Sequence, residues 1–445
     1  MFYLFYLKMK KFISILLLLL ISLSQCEIRR SRRSKHGEDC VSNAACEEGL
    51  VCKTHRCFTH YEAEHLKELG LEDKNVCNEK KKCKGNFVCY KHRCMDILLV
   101  KEAQKPKPAV NPEEEEDIRM VFSGSIYLNK MPYLSGYKSD KTFNYDHLFT
   151  HVTNLIKNAD ISVALQETIF YVTQPGQEIK PNFVNTPKEL GDAIAKAGFN
   201  TVLHATQSAY SKLEPGIINT LAYWKNEHPN IKVLGISKTQ MKENDYYIYD
   251  KKGVKIAIID FASYLSKSLP KDKKYMVNIL TKEKIESIMN ELKEKADFFV
   301  ACVDWGIKSE KKPTKKQIQT AKLLIECGIN LIIGNHPDYV QPVSYVKSKN
   351  GNCGLVFFSL GQFIGDGKNN LGALAQITIT KDKKRTYISS FNLRPVINHK
   401  VESSQYTVYK LPEYTQNLAN LAHKKINVQK LRDICKKVMG AFAFC

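Results

Sequence analysis

Leu331-Ile332-Ile333-Gly334-Asn335-His336-Pro337-Asp338 decides how this chain is read. An aliphatic run that passes at once into glycine, a histidine–proline turn and an aspartate describes a buried strand ending in a polar loop. The segment before it, Lys315 to Cys327, has the apolar spacing of a helix. The segment before that, Phe298 to Val303, is again an apolar strand, closing on Asp304-Trp305-Gly306. Outward from there the same alternation recurs. Strands are expected at 119–122, 161–165, 201–203, 231–234, 255–260 and 355–358. Helices are expected at 146–158, 187–197, 215–227 and 282–295. Strands separated by helices of this length specify an α/β domain. In such domains side chains at the carboxyl ends of the strands form the site. The candidates are Gly124-Ser125, Gln166-Glu167, 205–208, Asp304-Trp305-Gly306 and 334–338. After Gly372 the pattern becomes strand-rich, and residues 418–439 read as a basic helical tail.

The 445 residues carry 67 Lys and Arg against 46 Asp and Glu, a net charge of +21, with 14 Cys and 43% hydrophobic residues. That composition excludes a disordered or collagen-like chain. Lys8, Lys10 and Lys11 precede an apolar run from Phe12 to Leu23, the layout of a secretory signal peptide over residues 1–26. That apolar run is short for a membrane helix, and no later stretch is long and apolar enough to span a bilayer. A secreted or extracellular protein with no membrane span after signal cleavage is therefore expected.

Cys40, Cys46, Cys52 and Cys57 are repeated in spacing by Cys77, Cys83, Cys89 and Cys94, and each set closes on His-Arg-Cys. This is a tandem repeat over 40–94, its copies joined by an amphipathic stretch, Tyr61 to Leu71. Each copy is too short to bury a core, so all eight cysteines are expected in disulfides. Their pairing stays open, and only the last Cys pair of each copy has zinc-like spacing. Residues 101–117, with three prolines and a glutamate block, read as a linker. The basic runs Lys80-Lys81-Lys82 and Lys383-Lys384-Arg385 read as solvated loops, with no nucleic-acid module around them.

Taken in order, the motifs from about 118 to 397 resemble the CapA family of capsule synthesis, associated with poly-γ-glutamate. The resemblance rests on Gly198-Phe199-Asn200-Thr201-Val202, Gly216 to Leu221, Trp305-Gly306, Pro313-Thr314, Gln317, His336-Pro337, Gln341-Pro342 and Ser359-Leu360-Gly361-Gln362-Phe363. It implies a calcineurin-like metallophosphatase fold. The expected architecture is thus a four-layer αββα sandwich over 118–397, preceded by a small disulfide-rich tandem repeat and followed by a helical C-terminal extension, 398–445. It also implies a site for one or two divalent metals, which polarise a phosphoryl group and supply a hydroxide.

The polar motifs depart from that family. Its Gly-Asp reads Gly124-Ser125, and its Asn-Leu-Glu reads Leu165-Gln166-Glu167. Its Ala-Asn-Asn-His reads Ala205-Thr206-Gln207-Ser208, with Ser211 for a following Asp. Its His-Trp-Gly reads Asp304-Trp305-Gly306, with Lys308 where a Glu is usual. Its Gly-His-His-Pro-His keeps only His336, and Gln362 replaces an Asn. Glu167, Asp304, His336 and Asp338 are the remaining metal-ligand candidates, a set suited to a hard cation. No catalytic residue is assigned and no resident cofactor is expected; Mn, Mg, Fe or Zn enters only if the site has been rebuilt. The expectation is a secreted protein with degenerate metal-ligand motifs that binds a ligand, an anionic polymer or a glycan rather than catalysing. The alternatives are an active metal-dependent hydrolase or polymer-processing enzyme with substituted ligands, and a structural surface protein. Trp305 is read as core packing, and His147, His151 and His204 as structural or surface residues.

Overall fold

The structure, a computed structural model, describes residues 116–171, 185–240, 245–366, 370–383, 385–401 and 405–439. It also describes 50–53, 56–69, 87–90 and 93–96. The chain divides into two compact units, Met1–Phe58 and Thr59–Cys445. Near the end of the first, β1 (Leu50–Lys53) pairs with β2 (Arg56–Thr59). In the second, β3 (Phe87–Tyr90) pairs antiparallel with β4 (Arg93–Asp96), placing Cys89 opposite Cys94. The two hairpins fall at equivalent places in the two copies of the cysteine repeat. The expected signal peptide and the disulfides of Cys40, Cys46, Cys52, Cys57, Cys77, Cys83, Cys89 and Cys94 lie outside what is described.

The second unit holds two larger sheets. One joins β5 (Glu116–Ile126), β6 (Ile161–Gln166), β7 (Thr201–Leu203) and β8 (Lys232–Leu234) in parallel. Three antiparallel strands extend it beyond β5: β16 (Leu371–Lys381), β17 (Thr386–Lys400) and β18 (Tyr406–Lys410). The short β15 (Gln362–Ile364) pairs with β5 off this path. The other sheet has parallel β10 (Val254–Ala262), β11 (Phe298–Asp304), β12 (Leu331–Asn335) and β14 (Cys353–Leu360). Its edges are antiparallel β9 (Tyr246–Lys251) and β13 (Val340–Lys347). Both sheets are mixed.

Strand side chains alternate between faces, and the burial follows that alternation. Met120 and Phe122 of β5 pack with Ile256 and Ile258 of β10 in a core between the sheets. Val121 of β5 faces the other way, with Leu190 and Ile194 of the helix Glu189–Ala197 and Trp224 of the helix Leu213–Glu227. Ala257, Ile259 and Phe261 of β10 face the helices Lys282–Leu292 and Lys315–Glu326. Helix, sheet, sheet and helix therefore stack in four layers.

Several boundaries differ from the sequence expectation. Glu116 and Asp117, placed in the linker, are strand residues opposite Lys381 and Thr380. The domain boundary at 397 falls inside β17, and β18 pairs with it beyond that point; helix begins only at Gln416–Leu421 and Val428–Met439. Edge strands such as β18 pair on one side and carry a mixed pattern that resembles a loop in sequence. The expected helix at 146–158 is a 3-10 turn, Asp146–Leu148, and a short helix, Thr153–Lys157. The stretch expected to join the repeats is the helix His60–Leu69, whose Leu69 is fully buried in the outer core of the six-stranded sheet.

Candidate functional site

Parallel strands end on one edge of their sheet, so the loops that follow them meet. Ser125, in register with Gln362 of β15, and Gln166 lie at the carboxyl ends of β5 and β6. Residues 205–208 follow β7, Asp304 ends β11 and Asn335 ends β12. The approach of the chains is close at Gly124, where a Cβ would stand 2.3 Å from the Gly361 carbonyl oxygen. Gly334 is equally constrained, since a Cβ there would stand 2.3 Å from both the Phe358 carbonyl oxygen and Trp305 Nε1. Trp305 is core, donating from Nε1 to the Phe358 carbonyl at 2.8 Å. Beyond Gly334 the chain turns sharply: His336 (φ +94°) and Asp338 (φ +61°) both occupy the left-handed region around Pro337. Such non-glycine conformations persist only where surrounding contacts hold them.

Those contacts are specific. His336 Nδ1 lies 3.3 Å from Asp304 Oδ1, and His336 Nε2 lies 2.7 Å from the Tyr264 hydroxyl. Asp304 Oδ2 accepts from the Gln207 backbone N–H. The Asp304 carbonyl accepts from Ser263 Oγ at 2.8 Å. Asp338 Oδ1 accepts from Gln362 Nε2 at 3.0 Å, and its Oδ2 faces Lys308 Nζ at 3.6 Å. Beside them a cleft of about 570 Å³ is lined by Gln207, Tyr264, Ile307, Lys308, Lys316 and His336, among others. Its rim is held by a hydrogen-bonded pair. Thr314 and Gln317 form a capping box on the helix Lys315–Glu326. Gln317 Nε2 donates to Gln341 Oε1 at 2.9 Å, and Gln341 Nε2 donates to the carbonyls of Glu310 and Lys312.

The charge balance is unusual for a buried site. Burial, then the neighbouring Asp304 carboxylate, pushes the Glu167 carboxyl up to about 7. Burial alone would depress the His336 pKa, but the hydrogen bond and charge of Asp304, then the Glu167 and Asp338 carboxylates, outweigh it and raise it. Behind the site, Asp260 is fully buried; its Oδ2 accepts from the His204 and Ala205 N–H groups at 3.0 and 2.8 Å. Burial is the first cause that raises its pKa well above the ordinary value. His204 is neutral, since burial depresses its pKa to about 3, and its Nε2 accepts from Trp224 Nε1.

Of the four candidate ligands, His336 and Asp304 stand against each other, Asp338 is engaged by Gln362 and Lys308, and Glu167 lies close enough to Asp304 for their charges to interact. A ligating imidazole needs a free nitrogen lone pair aimed at the metal. His336 Nε2 is hydrogen-bonded to the Tyr264 phenol, and Nδ1 stands 3.3 Å from the Asp304 carboxylate. Among the described residues no group of three His, Cys, Asp or Glu side chains is arranged to hold a metal ion. As placed, these side chains do not gather the ligand set that the family resemblance implies. Unpartnered buried oxygens remain at Ser125, Glu167, Thr206, Asp304 (Oδ1) and Asn335, and both amide atoms of Gln166. They mark a polar interior whose groups are not satisfied by protein alone.

Tyr264, Gln207, Gln362 and Asp260 belong to this site although none was among the candidate ligands. Tyr264 and Ser263 follow the apolar strand β10, the same strand-then-polar signal that identified the other loops. Asp260 was hidden because it sits inside a strand, where charge carries no sign of what it faces.

A family model described as bacterial capsule synthesis protein PGA_cap matches residues 119–367, more than half of the chain. The capsule biosynthesis protein CapA of Bacillus anthracis is 23% identical over 266 residues, covering 58% of this chain and 62% of that protein. The PGA biosynthesis protein CapA of Bacillus subtilis (strain 168) is 24% identical over 262 residues, covering 58% and 66%. The chain spans less than two thirds of either relative. Among solved structures, a putative 5'-nucleotidase from Staphylococcus aureus aligns with TM-score 0.41 and 14% identity, over 72% of this chain and 58% of that one. The calcineurin-like phosphoesterase YfkN from Bacillus subtilis aligns with TM-score 0.35 and 10% identity, over 72% and 98%. The chain belongs to the family of the bacterial capsule synthesis protein PGA_cap.

Proposed function

We propose that this chain serves capsule-polymer biosynthesis as a binding protein, and that metal-dependent hydrolysis has been lost from its site. The observation that carries the reading is His336, whose Nε2 is hydrogen-bonded to Tyr264 and whose Nδ1 stands 3.3 Å from the Asp304 carboxylate. In this reading the imidazolium supplies the positive charge that a metal ion supplies elsewhere, balancing the carboxylates of Asp304, Glu167 and Asp338. The ligand is an acidic polymer. The net charge of +21 attracts polyanions at long range, and Lys308 and Lys316 line the cleft. Secretion through the signal peptide of residues 1–26, with disulfides in the two cysteine repeats, places the protein where such a polymer is found.

The test is elemental analysis of the full-length protein purified without chelator. Metal well below one ion per chain is the expected result. Mn, Fe or Zn at one or more per chain, lost on His336→Ala, would establish the alternative, a metal-dependent enzyme with substituted ligands.

A further inference from the structure

A second cleft, of about 240 Å³, has a lining distinct from that of the His336 cleft. It lies between the helix Lys130–Ser135, the end of β17 and the segment that follows residue 421. Lys130, Lys400 and Lys424 line it, with Asp366 as the acidic side chain and Ile426 buried beneath. Lys400, His423 and Lys424 lie beyond residue 367, where the family match ends, so the cleft is built largely from residues outside the matched segment.

The cleft is organised rather than a chance meeting of surface lysines. Lys400 has a side chain only 14% exposed, and its Nζ is fixed 2.7 Å from Asp366 Oδ1. Asp366 is held in turn by its own N–H, which donates to Asn129 Oδ1 at 2.6 Å. The His423 N–H donates to the Lys400 carbonyl at 2.7 Å, which ties the C-terminal segment to the strand. Lys130 and Lys424 make no ion pair with a described residue. Among the described residues that line the cleft, Asp366 neutralises one of three ammonium groups, so two positive charges remain over a concave, partly apolar surface. The volume is below the range of pockets that hold drug-sized ligands, so the occupant is a small group.

We propose that this cleft is a binding site for a small dianion, its two negative charges carried on phosphate or paired carboxylate oxygens. Lys130 and Lys424 contact the anion, and Lys400, oriented by Asp366, closes the site from below. Nothing in this proposal depends on the state of the His336 site or on the polymer reading above.

Isothermal titration calorimetry on the full-length protein tests it, with inorganic phosphate, glutarate and monoanionic acetate as probes at low salt. Phosphate, glutarate or both are expected to bind at least tenfold more tightly than acetate, and which of them binds identifies the source chemistry. The Lys130→Ala/Lys424→Ala double variant, altered only at exposed positions, is expected to lose at least tenfold in affinity with an unchanged thermal midpoint. Equal binding of acetate, absence of binding by both dianions, or unchanged affinity in the double variant would each overturn the proposal.

Discussion

Glu167 stands where burial and a neighbouring carboxylate act in the same direction. Its carboxyl is raised from an ordinary 4.5 to about 7, so the fold favours its protonated form. A group raised in this way contributes stability that is fully present below about pH 4.5 and is lost as pH rises through about 7. Glu167→Gln keeps the shape and removes the titration. Chemical denaturation should find the variant more stable than the parent by about 3 kcal/mol at pH 8, and indistinguishable from it at pH 4. Equal stability at both pH values would mean that Glu167 titrates as if in water. The identity of this residue was plain from its place after a strand. Its altered chemistry was not, because Asp304 is 137 positions away in the chain and becomes a neighbour only through the fold.

Within single elements, the strongest constraint is steric. Gly334 lies in β12 with the Trp305 ring and the Phe358 carbonyl both against its Cα. Gly334→Ala forces a methyl into closed space, and overpacking of this kind costs about 3 kcal/mol. Urea denaturation would register it, and a cost near zero would show that β12 can shift at no penalty. The cap of the helix Lys315–Glu326 is milder. Thr314→Ala removes the side-chain acceptor for the Gln317 N–H and should cost about 1 kcal/mol by the same measurement. Both features were visible in part. The Pro313-Thr314 and Gln317 spacing announces a helix start, and the glycine after an aliphatic run announces a tight passage. What fills the space beside Gly334 comes from β11 and β14, and local sequence carries no record of it.

At the scale of the whole molecule, the helix His60–Leu69 changes how the chain is divided. Its amphipathic pattern reads as a connector between cysteine repeats, yet Leu69 is fully buried and Tyr61 meets the Phe358 ring edge-on at a centroid distance of 6.5 Å. Leu69→Ala should therefore destabilise the large α/β domain by about 3 kcal/mol, the usual cost of emptying a buried leucine site. Thermal unfolding followed by near-UV circular dichroism would detect it. An unaltered midpoint would return the helix to the role of linker.

The sequence by itself determined the α/β class, the apolar strands and their polar ends, the repeat of cysteine spacing and the family. All of these follow from periodicity and motif order, which are local. Set beside the family it resembles, it also carries other polar residues at several motif positions, a difference legible one position at a time. The tertiary structure alone decided what the survivors do. His336 meets a tyrosine 72 positions earlier and an aspartate on the neighbouring strand. Hydrogen-bond valence is limited, so partners supplied by the fold, and not residue type, determine which lone pairs of this imidazole are engaged.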